Sequence, residues 1–434
     1  MATRTIKVDY LTRVEGEGAL YVKIDGDRVE DLQLRIFEPP RYFEGLLRGR
    51  DFREAPDITA RICGICPVAY QTSAVNALEA AAGVAPTPAI RALRRLMYCG
   101  EWIQSHALHV YMLHAPDFLG YPSGMALAKD APDIVERGLA LKKAGNALMA
   151  AVGGRAVHPI NWCVGGFYRA PERHELDGLT DQLKRARDIA AQTVRWVSGF
   201  DFPELEQPYI FVALRDDARY PMEGGRIAAS TGLDIPVADY PAHFVEHQVP
   251  YTTAKHAYLT ETGQPYLVGP LARLALNVRK LTPGARHALA VSGLDLPCRN
   301  PYRSIIARAV EILFACEEAL RLIADYAPPN PPAVPVPPRA ATGHGASEAP
   351  RGLLYHRYRM DAEGIIQDAD IVPPTSQNQA MIEADVRAFI AHNADLDDAS
   401  LQWRCEQTIR NYDPCISCAT HFLNLRVDRG TGTP

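Results

Sequence analysis

Two short segments, RICGICP at Arg61–Pro67 and DPCISCATH at Asp413–His421, determine how the rest of this chain is interpreted. Each contains two cysteines separated by two residues, a spacing that lets both thiolates of a pair bind one metal ion or two adjacent ions. The pairs lie near opposite ends of the 434-residue chain. A shared site would therefore connect the two ends and tie the whole protein core together.

The composition is that of an ordinary globular protein, with 47% hydrophobic and 22% charged residues. A net charge of −5 without long runs of like charge argues against nucleic acid as a partner. No apolar run approaches the roughly 18 residues of a membrane helix, so no direct membrane span is expected. Nine cysteines, an odd number spread over a long chain, argue against a disulfide scaffold and favour a reducing compartment, the cytoplasm.

Hydrophobic periodicity predicts a mainly helical protein that begins with a β-hairpin. Apolar and polar residues alternate over Thr5–Phe37 around a turn at Asp25-Gly26-Asp27. Amphipathic or small apolar patterns typical of helices follow, with capping residues at some of their ends. The predicted helices are Ala69–Ala82 before a C-cap at Gly83, Thr87–Leu113, Pro171–Val197 and Pro301–Tyr326.

Two further segments have other patterns. Gly199–Leu276 is rich in tyrosine, proline and short apolar runs, which indicates a mixed insert with a few short strands. Pro328–Pro338 is proline-rich and is expected to be an extended, stiff connector. Because the two cysteine pairs lie on either side of this connector, we interpret it as a long loop within one domain.

Four soft thiolates do not identify their metal, and zinc, an iron–sulfur cluster and a nickel–iron centre all fit the spacing. The flanking residues distinguish among them. Arg-x-Cys-Gly-x-Cys and Asp-Pro-Cys-x-x-Cys-x-x-His resemble the paired signatures of the large, catalytic subunits of nickel–iron hydrogenases. Further matches to that family occur in order along nearly the whole chain. They are Arg13-Val-Glu15-Gly, Phe43-Glu44-Gly, Leu113-His-Ala-Pro-Asp117, Gly153-Gly-Arg-Ala-Val-His-Pro159 and Glu348-Ala-Pro-Arg351-Gly.

This resemblance implies the hydrogenase large-subunit fold, a mainly α, long-helix bundle with small β-sheets. It also implies a nickel–iron centre whose iron carries one carbon monoxide and two cyanides, Ni-Fe(CO)(CN)2. Matched by position, Cys63 and Cys415 would be terminal nickel ligands, while Cys66 and Cys418 would bridge nickel and iron. Soft thiolates make nickel electron-rich, which suits the heterolytic cleavage of H2.

Other positions match residues that surround this centre in the family. Glu44 and His421 match ligands of a magnesium ion; a carboxylate suits Mg²⁺, whereas histidine is a less typical ligand. The loop Pro373–Asn378 matches the segment that contacts the cyanides, and Thr375 is expected to donate a hydrogen bond there. The family commonly has a Ser-Thr pair at this place, where this chain has Pro-Thr. Tyr70 replaces a histidine that binds a bridging cysteine in many members, and its hydroxyl is expected to donate instead.

The resemblance also assigns proton transfer. Arg351 matches an arginine above the metals, which Asp117 and Asp413 would hold through charge-assisted hydrogen bonds. Arg351 and the terminal thiolate of Cys415 are the two alternatives for the base that accepts the proton. Glu15 matches the glutamate that relays the proton from that thiolate, and a surface charge without a role in transfer is the alternative.

The amino-acid sequences of the motifs are most similar to those of cytoplasmic NAD(P)-linked bidirectional hydrogenases and sulfhydrogenase alpha subunits. This chain has no further iron–sulfur motif and no nucleotide fingerprint. Electrons are therefore expected to leave through an iron–sulfur small subunit, and a diaphorase partner, with any flavin, would serve NAD(P). The alternatives are coupling to ferredoxin or sulfur, and a regulatory H2 sensor. A complex I quinone-site subunit shares the fold, but that lineage has lost the metal cysteines.

In this family a maturation endopeptidase usually removes a C-terminal extension just after the motif histidine, once nickel is inserted. Here Phe422–Pro434 follows His421. We expect residues 1–421 to form a single catalytic domain and residues 422–434 to be removed. A tail that continues from a buried site would hold Cys415 and Cys418 away until nickel arrives.

Overall fold

A computed structural model describes residues 3–26, 28–39 and 42–421 of the chain. The alternating N-terminal segment forms an antiparallel sheet of β1 (Thr3–Val8), β2 (Gly18–Asp25) and β3 (Arg28–Ile36) in that order. Every second side chain of β2 is buried, which is why the alternation predicts this element. Gly26 takes a positive φ of 63° in the predicted turn, while Asp27 lies outside the described residues.

Helices make up most of the remaining chain. The first group is α1 (Phe43–Leu47), α2 (Ala55–Thr59), α3 (Pro67–Ala82), α4 (Pro88–Leu108), α5 (Ala115–Leu119), α6 (Gly124–Asp130), α7 (Pro132–Gly153), α8 (Arg173–Asp177) and α9 (Thr180–Ser198). The second group is α10 (Tyr240–His243), α11 (Pro270–Asn277), α12 (Pro283–Val291), α13 (Ser304–Ala324), α14 (Pro374–His392), α15 (Asp398–Arg410) and α16 (Ile416–Ala419). A π-helical segment, His109–His114, joins α4 to α5.

Short strands accompany these helices. Two-residue strands β4 (Trp162–Cys163) and β5 (Gly166–Phe167) pair with each other. The predicted mixed insert contains β6 (Val212–Arg215), β7 (Arg226–Ala229), β8 (Asp234–Ile235), β9 (Phe244–Gln248) and β10 (Lys255–Leu259). The last sheet is antiparallel and consists of β11 (Ala341–Ala349), β12 (Gly352–Met360) and β13 (Ile366–Val372). The prediction of a mainly helical fold with small sheets is confirmed.

The capping residues account for several helix ends. Helix α3 ends at Gly83, which has a left-handed φ of 71° and is the predicted C-cap. Helix α4 begins after Thr87, whose side chain accepts a hydrogen bond from the backbone N–H of Ile90. The segment Pro171–Val197 differs from the prediction of one helix. It forms α8 and α9, which are separated at Gly178 and Leu179.

The core positions two sets of elements around one buried region. Helix α4 packs against both α7 and α13, and α9 packs against α13. On the other side, α3 lies across the sheet of β11 and β12, whose Gly343 and Gly345 leave room for the α3 backbone. The connector 328–338 is outside helices and hydrogen-bonds to the segment around Gly165. Within the described residues, no helix is both long and apolar enough to cross a membrane.

Candidate metal centre

The four motif cysteines meet in one buried cluster. Their sulfur atoms all lie within 4.8 Å of one another, and each residue is at most 7% exposed. The Sγ atom of Cys63 lies 2.9 Å from Sγ of Cys66 and 3.6 Å from Sγ of Cys415. Elsewhere in the described ranges no comparable group of three or more His, Cys, Asp or Glu side chains occurs.

Local structure explains how two distant segments deliver these sulfurs. Cys66 is the N-cap of α3, and the backbone N–H groups of Ile65 and Cys66 point at Sγ of Cys63, with N···S distances of 3.4 and 3.2 Å. Cys415 is the N-cap of α16 and forms an isolated parallel bridge with Glu15. The backbone N–H of Ile416 donates to the carbonyl of Glu15 at 2.8 Å, so the N-terminal segment fixes the second cysteine pair.

Burial and mutual hydrogen bonds shift the pKa values of the four thiols in different directions. Hydrogen bonds from Cys415, Cys418 and Cys66 lower the pKa of Cys63 well below its usual value. The pKa values of the other three thiols are raised, by burial above all for Cys415 and Cys418, and by the interaction with Cys415 for Cys66. Metal ligands must be thiolates, so the binding of a metal ion here would release protons from these thiols.

The donor set fits a thiophilic transition metal. Metal–thiolate bonds of about 2.3 Å set the scale, so four sulfurs within 4.8 Å of one another are close enough to bind one metal or two adjacent metals. Four sulfur donors without a carboxylate favour soft or borderline ions over Mg²⁺ or Ca²⁺. The cluster therefore suits a nickel-containing centre, although sulfur donors alone do not exclude zinc.

Glu15 lies in contact with this cluster. The Sγ of Cys415 donates to Oε2 of Glu15 over 3.0 Å, and the backbone N–H of Ser417 donates to the same oxygen over 3.1 Å. Glu15 is half-buried, whereas the sulfur it contacts is buried. A titratable carboxylate therefore connects the buried thiol with the outside of the cluster.

Arg351 occupies the tight turn between β11 and β12, near the cysteines. Its Nε donates to the carbonyl of Asp413 at 2.6 Å, and its Nη2 donates to the Asp413 carboxylate at 3.1 Å. Burial lowers the pKa of Arg351, but Asp413 and the nearby cysteines raise it more, so the guanidinium stays charged. Its Nη1 has no hydrogen-bond partner among the described residues, which leaves a donor available within the buried site.

Asp117 does not hold Arg351, contrary to the sequence prediction. Its carboxylate accepts two hydrogen bonds of 2.8 Å from Arg410 and one of 2.6 Å from Arg13. Within the described residues, the guanidinium of Arg351 hydrogen-bonds only to Asp413. Sequence motifs did not identify Arg410, because an arginine in α15 carries no sign that it is buried.

The three residues predicted to lie near the iron ligands are Thr375, Pro373 and Tyr70. The hydroxyl of Thr375 accepts from the backbone N–H of Cys415 at 3.0 Å, and Pro373 is the N-cap of α14. Tyr70 lies in the first turn of α3 and is 1% exposed. Its hydroxyl has no hydrogen-bond partner in the described part of the chain, so the expected donation to a cysteine is wrong. Its ring instead packs near His356, with centroids 5.7 Å apart.

Glu44 and His421 both contact the backbone of Ile371. The carboxylate of Glu44 accepts from the backbone N–H of Ile371 at 2.8 Å, and Nε2 of His421 lies 3.1 Å from its carbonyl oxygen. Both side chains line a cavity of about 30 Å³ that Cys418 also lines. The cavity has room for one water or ion.

A buried carboxylate that the motifs did not indicate lies behind the first cysteine pair. Glu101 of α4 accepts from the backbone N–H groups of Val68 and Ala69, at 2.6 and 3.1 Å, and so caps the start of α3. Burial raises the pKa of Glu101 well above its usual value. Its position beside Trp102 on the apolar side of a predicted helix was the only sequence signal for such a role.

Comparison with known proteins identifies the family. A model of the family described as nickel-dependent hydrogenase matches residues 41–136 and 251–421. The chain is 34% identical to the sulfhydrogenase 1 subunit alpha of Pyrococcus furiosus, over 97% of this chain and 98% of that protein. It is 31% identical to the NAD-reducing hydrogenase HoxS subunit beta of Cupriavidus necator, over 97% of this chain and 95% of that protein.

Solved structures agree with the sequence matches. An NAD+-reducing NiFe-hydrogenase in the H2-reduced state has a TM-score of 0.84 and 28% identity, covering 97% of this chain and 100% of that one. A NiFeSe hydrogenase variant from Desulfovibrio vulgaris Hildenborough has a TM-score of 0.80 and 25% identity, with the same coverage. The chain therefore belongs to the nickel-dependent hydrogenase family and is a large, catalytic subunit, an oxidoreductase that acts on H2.

Proposed function

We propose that this subunit oxidises H2 reversibly to protons and electrons at a nickel–iron site bound by Cys63, Cys66, Cys415 and Cys418. The observation that carries the proposal is the buried four-sulfur cluster with the carboxylate of Glu15 in contact with one sulfur. All four cysteines are proposed nickel ligands, with Cys63 and Cys415 terminal and Cys66 and Cys418 shared with iron. When bound, a Ni-Fe(CO)(CN)2 centre supplies the redox chemistry that splits H2.

The proton leaves, in this proposal, through Cys415 and Glu15. The 3.0 Å contact between sulfur and carboxylate oxygen is within hydrogen-bond reach, which proton transfer requires. Arg351, oriented by Asp413, places a positive charge in the buried site, where it would stabilise negative charge on the sulfurs. Asp117 is not proposed to hold Arg351, because its carboxylate binds Arg13 and Arg410 instead.

Other residues are proposed to complete the surroundings of the centre. Thr375 and Pro373 would line the side of the iron ligands, since Thr375 already orients the backbone of Cys415. Tyr70 is proposed to line the cysteine cluster, with its ring near His356 and its buried hydroxyl without a protein partner among the described residues. Glu44 and His421 are the proposed protein ligands of a magnesium ion, supported by the small cavity they share.

The proposed electron route runs to an iron–sulfur small subunit and then through a diaphorase partner to NAD(P)+. Two relatives support it, one named as an NAD-reducing hydrogenase and one as a sulfhydrogenase. The second name makes sulfur the alternative acceptor, and ferredoxin is a further alternative. Such a complex is proposed to reside in the cytoplasm.

The acceptor is tested with the purified native complex. We expect H2-dependent reduction of NAD+ or NADP+ alongside H2-dependent dye reduction. H2-dependent reduction of the dye and of sulfur, but not of NAD(P)+, would contradict the diaphorase route and support sulfur as the acceptor. Only trace dye reduction, together with binding of a kinase, would instead indicate a regulatory H2 sensor.

Maturation is proposed to include removal of residues 422–434 by an endopeptidase, which leaves His421 as the last residue. Intact-mass measurement of this subunit from active enzyme would give the mass of residues 1–421. A fully active enzyme that retains the tail would contradict the proposal. Residues 422–434 lie outside the described residues, which end at His421.

A further inference from the structure

The turn that carries Arg351 is held by a second buried arginine. Strands β11 and β12 pair up to Ala349 and Gly352, so Pro350 and Arg351 alone form the connection between them. Arg273 of α11 donates to the carbonyl of Ala349 and to the carbonyl of Pro350, each at 2.9 Å. Both main-chain carbonyls that precede Arg351 therefore end on one side chain.

Arg273 is itself fixed on all sides. Its Nε and Nη2 donate to the two carboxylate oxygens of Glu311 at 2.7 Å each, and its Nη1 donates to Glu348 at 3.0 Å. The guanidinium carbon lies 4.5 Å from the ring centroid of Trp102, whose Nε1 donates to the backbone carbonyl of Glu348. Arg273, Glu311 and Glu348 are all fully buried, so solvent does not compete for these bonds.

The start of α11 also presses directly on the turn. A Cβ atom at Gly269, the N-cap of α11, would lie 2.8 Å from the carbonyl oxygen of Arg351. A Cβ atom at Gly352 would lie 2.8 Å from the backbone nitrogen of Gly269. The backbone N–H of Arg273 donates to the carbonyl of Gly269 at 2.9 Å, so clamp and contact belong to one helical turn.

We propose that Arg273 is a positioning residue that sets the place of the Arg351 guanidinium beside the four sulfurs. The inference rests on the role proposed above for Arg351. Arg273 touches neither the cysteines nor Asp413 in the described hydrogen bonds; it acts through the backbone of residues 349 and 350. Its five donors in a rigid fork satisfy two carboxylates and two carbonyls together, which a lysine ammonium cannot do.

The test is Arg273→Lys in the purified complex, with Arg94→Lys as matched control. Arg94 is also buried and paired with Glu79, but Glu79 lies near the far end of α3 from Cys66. We expect Arg273→Lys to keep its nickel, to shift the infrared stretching bands of the carbon monoxide and cyanides, and to lose at least about tenfold in H2 turnover, since misplacing a group by ~1 Å can cost ~100-fold. Arg94→Lys should leave bands and turnover unchanged.

Unshifted bands and full turnover in Arg273→Lys would overturn the proposal. If that variant does not accumulate or lacks nickel, Glu311→Gln decides by the same criteria, because it removes the bidentate partner of Arg273 and keeps the side-chain volume. Arg351→Lys is measured in parallel. Full turnover there would overturn the role of Arg351 itself, whereas loss there with unchanged Arg273→Lys and Glu311→Gln would overturn only the positioning by Arg273.

Discussion

At the scale of single residues, the proposed proton route depends most directly on Glu15. One carboxylate oxygen accepts from the thiol of Cys415 and from the backbone N–H of Ser417, so its orientation toward the sulfur is fixed. The half-buried position gives the carboxylate a buried side and a side nearer to water. A relay between a buried thiolate and solvent needs both.

Replacing Glu15 by glutamine should stop this relay and leave the metal in place. Glutamine keeps the size and an acceptor oxygen but does not carry a proton, so we expect H2 turnover to fall by about 100-fold or more. Turnover is measured with a redox dye, and nickel per chain is measured in the same sample. Glu17→Gln, an exposed neighbour, is the control and should remain active. Full activity in Glu15→Gln would remove Glu15 from the proton route.

A second residue-scale prediction concerns Asp385, which is fully buried behind the second motif. It accepts hydrogen bonds of 2.6 Å from the hydroxyls of Tyr209 and Tyr412. Burial raises the pKa of Asp385 to about 7 despite these two bonds. The folded protein thus keeps its proton up to neutral pH, while the unfolded chain releases it near pH 4.

Stability contributed at Asp385 should therefore fall as the pH rises from about 4 to about 7, because only the unfolded state loses the proton over that range. Asparagine at this position does not titrate. We expect the melting temperature of Asp385→Asn, relative to wild type, to be higher at pH 8 than at pH 5. A difference in melting temperature that does not change with pH would show that Asp385 is already ionised in the folded protein.

At the scale of elements, the close crossing of α4 and α7 supports the side of the bundle behind the first motif. A Cβ atom at Gly145 would lie 2.5 Å from the carbonyl oxygen of Gly100, and one at Gly100 would lie 2.9 Å from that of Gly145. The two helix backbones are therefore in contact at this crossing. The residues that make α7 pack well are small ones, which carry little hydrophobic signal.

Gly145→Ala should force these helices apart. Overpacking of this kind typically costs about 1–3 kcal/mol, and we expect a lower melting temperature of the purified complex. Gly178→Ala is the control, because a Cβ atom there meets nothing closer than 3.6 Å and the residue has helical φ and ψ. An unchanged melting temperature for Gly145→Ala would mean that the crossing adjusts at little cost.

The sequence predicts these elements where their pattern is regular. Helices α3, α4 and α13 have caps or apolar periodicity and lie close to the predicted bounds. Helix α7 escaped prediction because glycines at 138 and 145 interrupt its apolar face. Helix α14 escaped because its first turns bury polar residues, which is a property of the site rather than of a helix surface.

For the site, motifs predicted which residues meet but not every partner. The four cysteines lie together as expected. Short-range spacing brings together the two thiols of each pair, and the resemblance to the family predicted that the two pairs meet. The predicted partner of Asp117, Arg351, is wrong. The carboxylate instead binds Arg410, which lies almost 300 positions away in the sequence, at a distance of 2.8 Å. Contacts of that kind depend on how the helices pack, and neither periodicity nor a motif contains that information.

At the scale of the whole molecule, the sulfur cluster joins segments from both ends of the chain. The segment with the second cysteine pair forms a β-bridge to the N-terminal segment, between Cys415 and Glu15. It forms another β-bridge a few residues later, between Thr420 and Ala254. The first pair begins α3, which packs on the sheet that carries Arg351. A metal bound here would therefore cross-link the segment before α3 to the C-terminal segment, and its identity decides whether the cluster is structural or catalytic.

Nickel and zinc content of the purified native complex tests the central claim most directly. We predict one nickel and no zinc per copy of this subunit, with nickel lost in Cys415→Ser. One zinc per copy without nickel would contradict a hydrogenase centre at these four cysteines and make the cluster a structural zinc site.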